Sequence, residues 1–120
     1  MIYMKAISKF LILLFTLIIL SCNKMGENRI LQVIYSPNNN FKAIVFSRNV
    51  DATTKFNTQV SIIERDKKLP NKPGNIFVAD YVDNLEVYWS TENELHIIVP
   101  EKNIRIYKKK EEINDIKIVY

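Results

Sequence analysis

From residue 29 onward, apolar and polar positions alternate in short runs rich in Ile, Val, Phe and Tyr. Clusters of Pro, Asn, Asp and Gly separate the runs. A period of two suits a pleated strand with one side buried, and β-branched and aromatic residues pack well there. The pattern predicts strands near 29–35, 41–48, 57–64, 75–79, 84–90, 94–99, 103–108 and 113–119, and no long helical repeat. Ser36-Pro37-Asn38-Asn39-Asn40 should turn the first hairpin, since Pro presets φ and Asn tolerates the left-handed region. Phe41, Ala43 and Val45 would then share one face, and Lys42, Ile44 and Phe46 the other.

The sharpest register is predicted for 84–90 with 94–99. A loop at Thr91-Glu92-Asn93 sets Trp89 opposite Leu95, Val87 opposite Ile97 and Leu85 opposite Val99. The other face carries Glu86 with Ile98, Tyr88 with His96, and Ser90 with Glu94. A slip of one residue would mix the two sets, so burial should hold this pairing. In the last pair, Ile104 and Ile106 are expected to face Ile116 and Ile118 across the charged link Lys108-Lys109-Lys110-Glu111-Glu112. The fold class expected is all-β: one small antiparallel sandwich or twisted meander sheet, following an N-terminal signal helix.

The first 22 residues follow a different pattern. Lys5 and Lys9 precede the apolar run Phe10 to Leu20, in which only Thr16 is polar, and Ser21-Cys22 closes it. This is the layout of a secretory signal peptide. The run is about half the ~20 residues of a membrane-spanning helix, although a retained helix or an ordinary cleavage site remains an alternative. Leu20-Ser21-Cys22 resembles the lipobox of bacterial lipoproteins. The resemblance implies cleavage before Cys22, and acylation of its thiol with diacylglycerol and fatty acyl groups such as palmitate. One acyl chain anchors weakly, whereas two or three hold durably. The expected organisation is a signal peptide over 1–21, a flexible tether over 22–28 and an all-β domain over 29–120. The product would be extracytoplasmic, at the cell membrane or the outer membrane.

That division changes the charge. Loss of residues 1–21 leaves 99 residues (120 − 21), with 15 Lys+Arg (17 − 2) against 13 acidic residues, or +2 (15 − 13). Such a balance gives no reason to expect a nucleic-acid partner. Cys22 is the only cysteine, so no disulfide can form within the domain.

Candidate chemistry is sparse. Gly26 and Gly74 are the only glycines, so no phosphate-cradling glycine loop is present. His96 is the sole histidine, and no Cys/His metal set is available. Ser90 and His96 share a face but sit as diagonal neighbours, expected about 7–8 Å apart and too far for a nucleophile and its base. Asp51, Asp80, Asp83 and Glu86 would support a carboxylate-dependent hydrolase only if two of them converge. No enzyme activity, metal or non-covalent cofactor is expected. Two loops rich in self-bonding side chains, 49–55 and 68–75, are the candidate binding segments, with Asp51, Thr53, Thr54, Asn71 and Asn75 as their candidate residues.

Several strings carry a resemblance over about 30 to 120. They are Ser36-Pro37, Phe41-Lys42-Ala43-Ile44-Val45-Phe46, Asp51-Ala52-Thr53-Thr54 and Phe56-Asn57-Thr58-Gln59-Val60-Ser61-Ile62-Ile63, then Leu69 to Asp80 and Val87-Tyr88-Trp89. Together they resemble a family of small uncharacterised bacterial proteins, a domain of unknown function found in exported or membrane-tethered chains. Members often carry Asp-Gly in the first turn, where this chain has Asn38-Asn39-Asn40. The resemblance implies a single β domain and no active site. The expected role is binding or structural, at the cell envelope. Its partner would be the membrane through the lipid and, in the alternative reading of an immunity-type or inhibitor lipoprotein, one protein that it blocks.

Overall fold

The computed structural model describes residues 8–9, 26–49 and 56–120. The proposed cleavage site, Cys22, and Asp51, Thr53 and Thr54 lie outside the described residues. Among the described residues nine strands follow in chain order: β1 (Asn28–Tyr35), β2 (Phe41–Arg48), β3 (Asn57–Glu64), β4 (Phe77–Asp80), β5 (Glu86–Thr91), β6 (Glu94–Ile98), β7 (Ile106–Lys109), β8 (Glu112–Ile113) and β9 (Ile116–Val119). They form two sheets, so the sandwich and not the meander is the outcome. Sheet A has the order β1-β2-β3-β4-β7, and sheet B the order β5-β6-β9-β8. Every pairing is antiparallel except β6 with β9, which is parallel. Among the described residues no helix is long and apolar enough to cross a membrane.

Between the sheets lies the core, built from alternate residues as the period of two requires. Sheet A contributes Ala43, Val45, Val60, Ile62, Phe77 and Ala79; sheet B contributes Val87, Leu95, Ile97, Ile116 and Ile118. Burying one such aliphatic or aromatic side chain contributes about 1.5–3 kcal/mol. Leu85, Trp89 and Val99 pack at the margin, and the Trp89 indole N–H donates to the Ile34 carbonyl at 3.0 Å, tying sheet B to β1. Tyr120 closes the far end: its ring lies 6.1 Å from that of Phe77, and its hydroxyl donates to the Lys110 carbonyl at 2.6 Å.

The first hairpin turns where expected. Asn39 takes φ 65°, and the buried Ser36 hydroxyl accepts from the Phe41 amide while donating to Asn38 Oδ1. The β5–β6 register matches expectation at Val87–Ile97, Tyr88–His96 and Trp89–Leu95. Its turn differs. A bulge at Ser90 lets Thr91, not Ser90, pair with Glu94, so only Glu92 and Asn93 form the turn.

The C-terminal expectation is overturned. Ile106 pairs with Ala79 in sheet A, while Ile116 and Ile118 enter the core from sheet B. The predicted 113–119 strand is broken at Asn114-Asp115, with φ 48° and 63°. Two successive left-handed residues make a tight hairpin turn, and Asn and Asp adopt that conformation at least cost after Gly. β8 and β9 therefore fold onto each other.

Candidate functional site

Twelve residues connect β3 to β4, and much of this segment lies on the outer face of sheet A, away from the core. The outward side chains hold it there. Gln59 Oε1 accepts the Gly74 amide at 2.6 Å, Ser61 Oγ accepts the Asn75 amide at 3.0 Å, and Lys108 Nζ donates to the Gly74 carbonyl at 2.9 Å. Gly74 fits because it has no Cβ; an added one would lie 2.7 Å from the Phe77 carbonyl and 2.8 Å from that of Val60. Beneath this cover Ile44 and Phe46 are buried although they point away from the core.

Asn75 has a structural task. Its Oδ1 accepts the Ile62 amide at 2.8 Å and its Nδ2 donates to the Ile62 carbonyl at 2.7 Å. β4 pairs with β3 only from Asn57 to Val60, so this one side-chain amide replaces a strand neighbour for Ile62. That is why the strand expected at 75–79 begins at Phe77. Asn71 belongs to a second cluster. Arg48 Nη1 donates to both Asn28 Oδ1 and Asn71 Oδ1 at 2.8 Å, and Asn28 Nδ2 donates to the carbonyls of Pro70 and Lys72. β1, β2 and the loop are thus joined at one end of the sheet. Beside this junction an open depression of about 340 Å³ is lined by Glu27, Asn28, Leu69 and Asn71. Asn71 and Asn75 lie on one loop but serve different ends of it, and both amides are engaged.

The outer face of sheet B holds the other polar cluster. The bulge at Ser90 brings its Oγ to 3.1 Å from His96 Nε2, so the expected separation of these two residues is overturned. Ser90 also donates to Glu94 Oε2 at 2.8 Å. The Ser90 hydrogen bond, with the charges of His96 and Lys117, holds the Glu94 carboxyl below its usual range. With Ser90 donating to the Glu94 carboxylate, a His96 ring that carries a proton on Nε2 donates to Ser90 Oγ. That is the reverse of a base activating a nucleophile. The acid and the serine also meet the same ring nitrogen, with Glu94 Oε2 3.7 Å from Nε2, whereas a relay uses both nitrogens. As the sequence suggests, His96 stacks on Tyr88, with centroids 4.8 Å apart.

The named carboxylates are distributed along the chain. Asp80 ends β4 and accepts from the Tyr107 hydroxyl at 2.8 Å, a bond that raises the pKa of Tyr107. Asp83 is exposed in the crossover to sheet B, and Glu86 is exposed at the start of β5. Among the described residues no three Asp, Glu, His or Cys side chains are grouped to hold a metal. Compared with known proteins, the chain matches no family model, no curated protein and no solved structure. Sequence reasoning missed Gln59, Ser61, Arg48 and Asn28 as the residues that hold the loop. A polar residue in each of several otherwise apolar strands was the available signal.

Proposed function

We propose that this chain is a lipid-anchored, extracytoplasmic lipoprotein whose β domain binds or supports another envelope component and catalyses no reaction. The carrying observation is the sole cysteine, Cys22, placed directly after Leu20-Ser21 at the end of an 11-residue run, Phe10 to Leu20, in which only Thr16 is polar. A binding role is favoured over hydrolysis because Ser90 Oγ and Glu94 Oε2 approach the same His96 nitrogen, where a catalytic relay uses both.

Growth with an alkyne-bearing fatty acid, followed by mass spectrometry of the N-terminal peptide, tests the anchor. The expected product begins at Cys22 and carries acyl groups, and Cys22→Ala abolishes labelling. An intact leader, or an unacylated Cys22, sinks the reading.

An inhibitor or immunity-type lipoprotein is the second reading. It is favoured by the exposed Tyr88 and Ile98 beside His96 on the outer face of sheet B. Recovery of one stoichiometric protein with the anchored chain, lost in Tyr88→Ala, would support it.

A further inference from the structure

β1 is the edge strand of sheet A and differs from an ordinary solvated edge. Ile30, Leu31, Val33 and Tyr35 are 53%, 54%, 39% and 51% exposed, so four large apolar side chains emerge from eight residues. The register with β2 puts Ile30, Val33 and Tyr35 on the outer face, and Leu31 falls at a bulge. The loop covering that same face carries Arg65, Lys67, Lys68 and Lys72, all exposed, against Glu64 and Asp66 between residues 64 and 75. Its balance is +2 (4 − 2). Asn28 bonds to the carbonyls of Pro70 and Lys72, which sets the basic loop beside the start of β1.

Covalent geometry adds the third observation. Cys22 precedes Asn28 by six residues. At ~3.3–3.6 Å per residue an extended tether of that length reaches only about 20 Å. If Cys22 carries the lipid, the start of β1 is held within that reach of the bilayer.

We propose, resting on the lipid-anchored reading, that the outer face of sheet A at β1 and the 65–72 loop lies against an anionic lipid surface. Ile30, Val33 and Tyr35 reach headgroup depth, where an aromatic with a polar tip is favoured. The backbone edge of β1, which pairs with no strand among the described residues, stays at the wet boundary, because an open edge has no place in hydrocarbon. Arg65, Lys68 and Lys72 meet the negative headgroups, and this attraction fades within a Debye length. An added strand from a protein partner fits the edge less well, because the bulge at Leu31 breaks its ladder.

The test uses the acylated chain purified from membranes, with methyl groups isotopically labelled. It is placed in nanodiscs of phosphatidylcholine, with or without phosphatidylglycerol, that carry a nitroxide-headgroup lipid. The methyl signals of Ile30, Leu31 and Val33 should broaden at least threefold more than that of Ile98, on the outer face of the opposite sheet. The excess should shrink at least twofold in 0.5 M salt, without phosphatidylglycerol, or in the exposed-surface variant Arg65→Glu/Lys68→Glu/Lys72→Glu. Ile30→Ser/Val33→Ser should remove the preference of Leu31 over Ile98 while leaving the acyl mass intact. Equal broadening of the β1 methyls and Ile98 in an acylated chain overturns the docking face and leaves the anchor standing. So does lipid-independent, concentration-dependent shielding of β1, which would reveal a strand-pairing protein partner, including a second copy. An unacylated Cys22 by mass removes both.

Discussion

On its inner face sheet A meets sheet B through Ala43, Val45, Val60, Ile62, Phe77 and Ala79. On its outer face it meets its own β3–β4 connection through Gln59, Ser61, Asn75 and Lys108. Both covers leave the central strands buried, and Ile44 and Phe46 are as dry as Val45 and Val60. The inner cover draws on apolar area, which is non-directional and tolerates exchange of one hydrophobe for another of similar volume. The outer cover draws on hydrogen bonds with fixed partners, where losing one side leaves a buried group unsatisfied. The inner face therefore specifies how much is buried, and the outer face specifies how one loop must lie.

Substitutions on the two faces should separate these roles. Phe77→Ala removes the largest fully buried side chain of β4, and a loss of about 3–5 kcal/mol is expected in urea unfolding. A loss no greater than that of the outer-face variants would break the contrast. Asn75→Ala leaves the Ile62 amide and carbonyl without their partner, and about 2–3 kcal/mol should be lost. Amide exchange at Ile62 should accelerate in that variant. Asn75→Leu, of similar size, should not rescue it. Gly74→Ala drives a methyl against two backbone carbonyls, with about 1–2 kcal/mol lost and the disturbance confined to residues 70–76.

The smallest effect lies where the two covers meet, at Tyr120. Burial, with the nearby Glu111 charge, pushes its phenol up from 10.0 to about 12. A raised pKa means the folded state holds the proton more tightly than the unfolded chain. The contribution is complete below about pH 10 and is lost as pH climbs through about 12. Absorbance at 295 nm during alkaline titration should show one phenol ionising late, and Tyr120→Phe should remove it.

How much of this was legible varied with the chemistry that decides each region. In β5–β6 the alternation of Val87, Trp89, Leu95 and Ile97 leaves one register that buries all four, and the structure has it. Ile104, Ile106, Ile116 and Ile118 alternate equally well, but pairing them assumed that consecutive strands are neighbours. The core instead takes Ile116 and Ile118 into sheet B while Ile106 joins sheet A. Nothing local in the sequence chooses between sheets. Asn114-Asp115 did carry a turn signal, hidden inside a run of isoleucines. The bulge at Ser90, which brings Ser90 to His96, depends on a one-residue backbone irregularity that periodicity cannot reveal. Asn71 and Asn75 were found as loop residues with hydrogen-bonding capacity. Their engagement with Arg48 and Ile62 is long-range and visible only once the strands are placed. Asp51, Thr53 and Thr54 lie outside the described residues.

The parallel pairing of β6 with β9 sets an order of events. β9 lies between β6 and β8, so the strand filling the middle of sheet B comes from residues 116–119. While the ribosome is still adding those residues, the β5–β6 hairpin has nothing along its inner margin and β8 has no strand to join. Ile116 and Ile118 are also missing from the interior until then. The sandwich therefore cannot close without β9, and a chain cut before residue 116 can complete neither sheet B nor the packing it shares with sheet A.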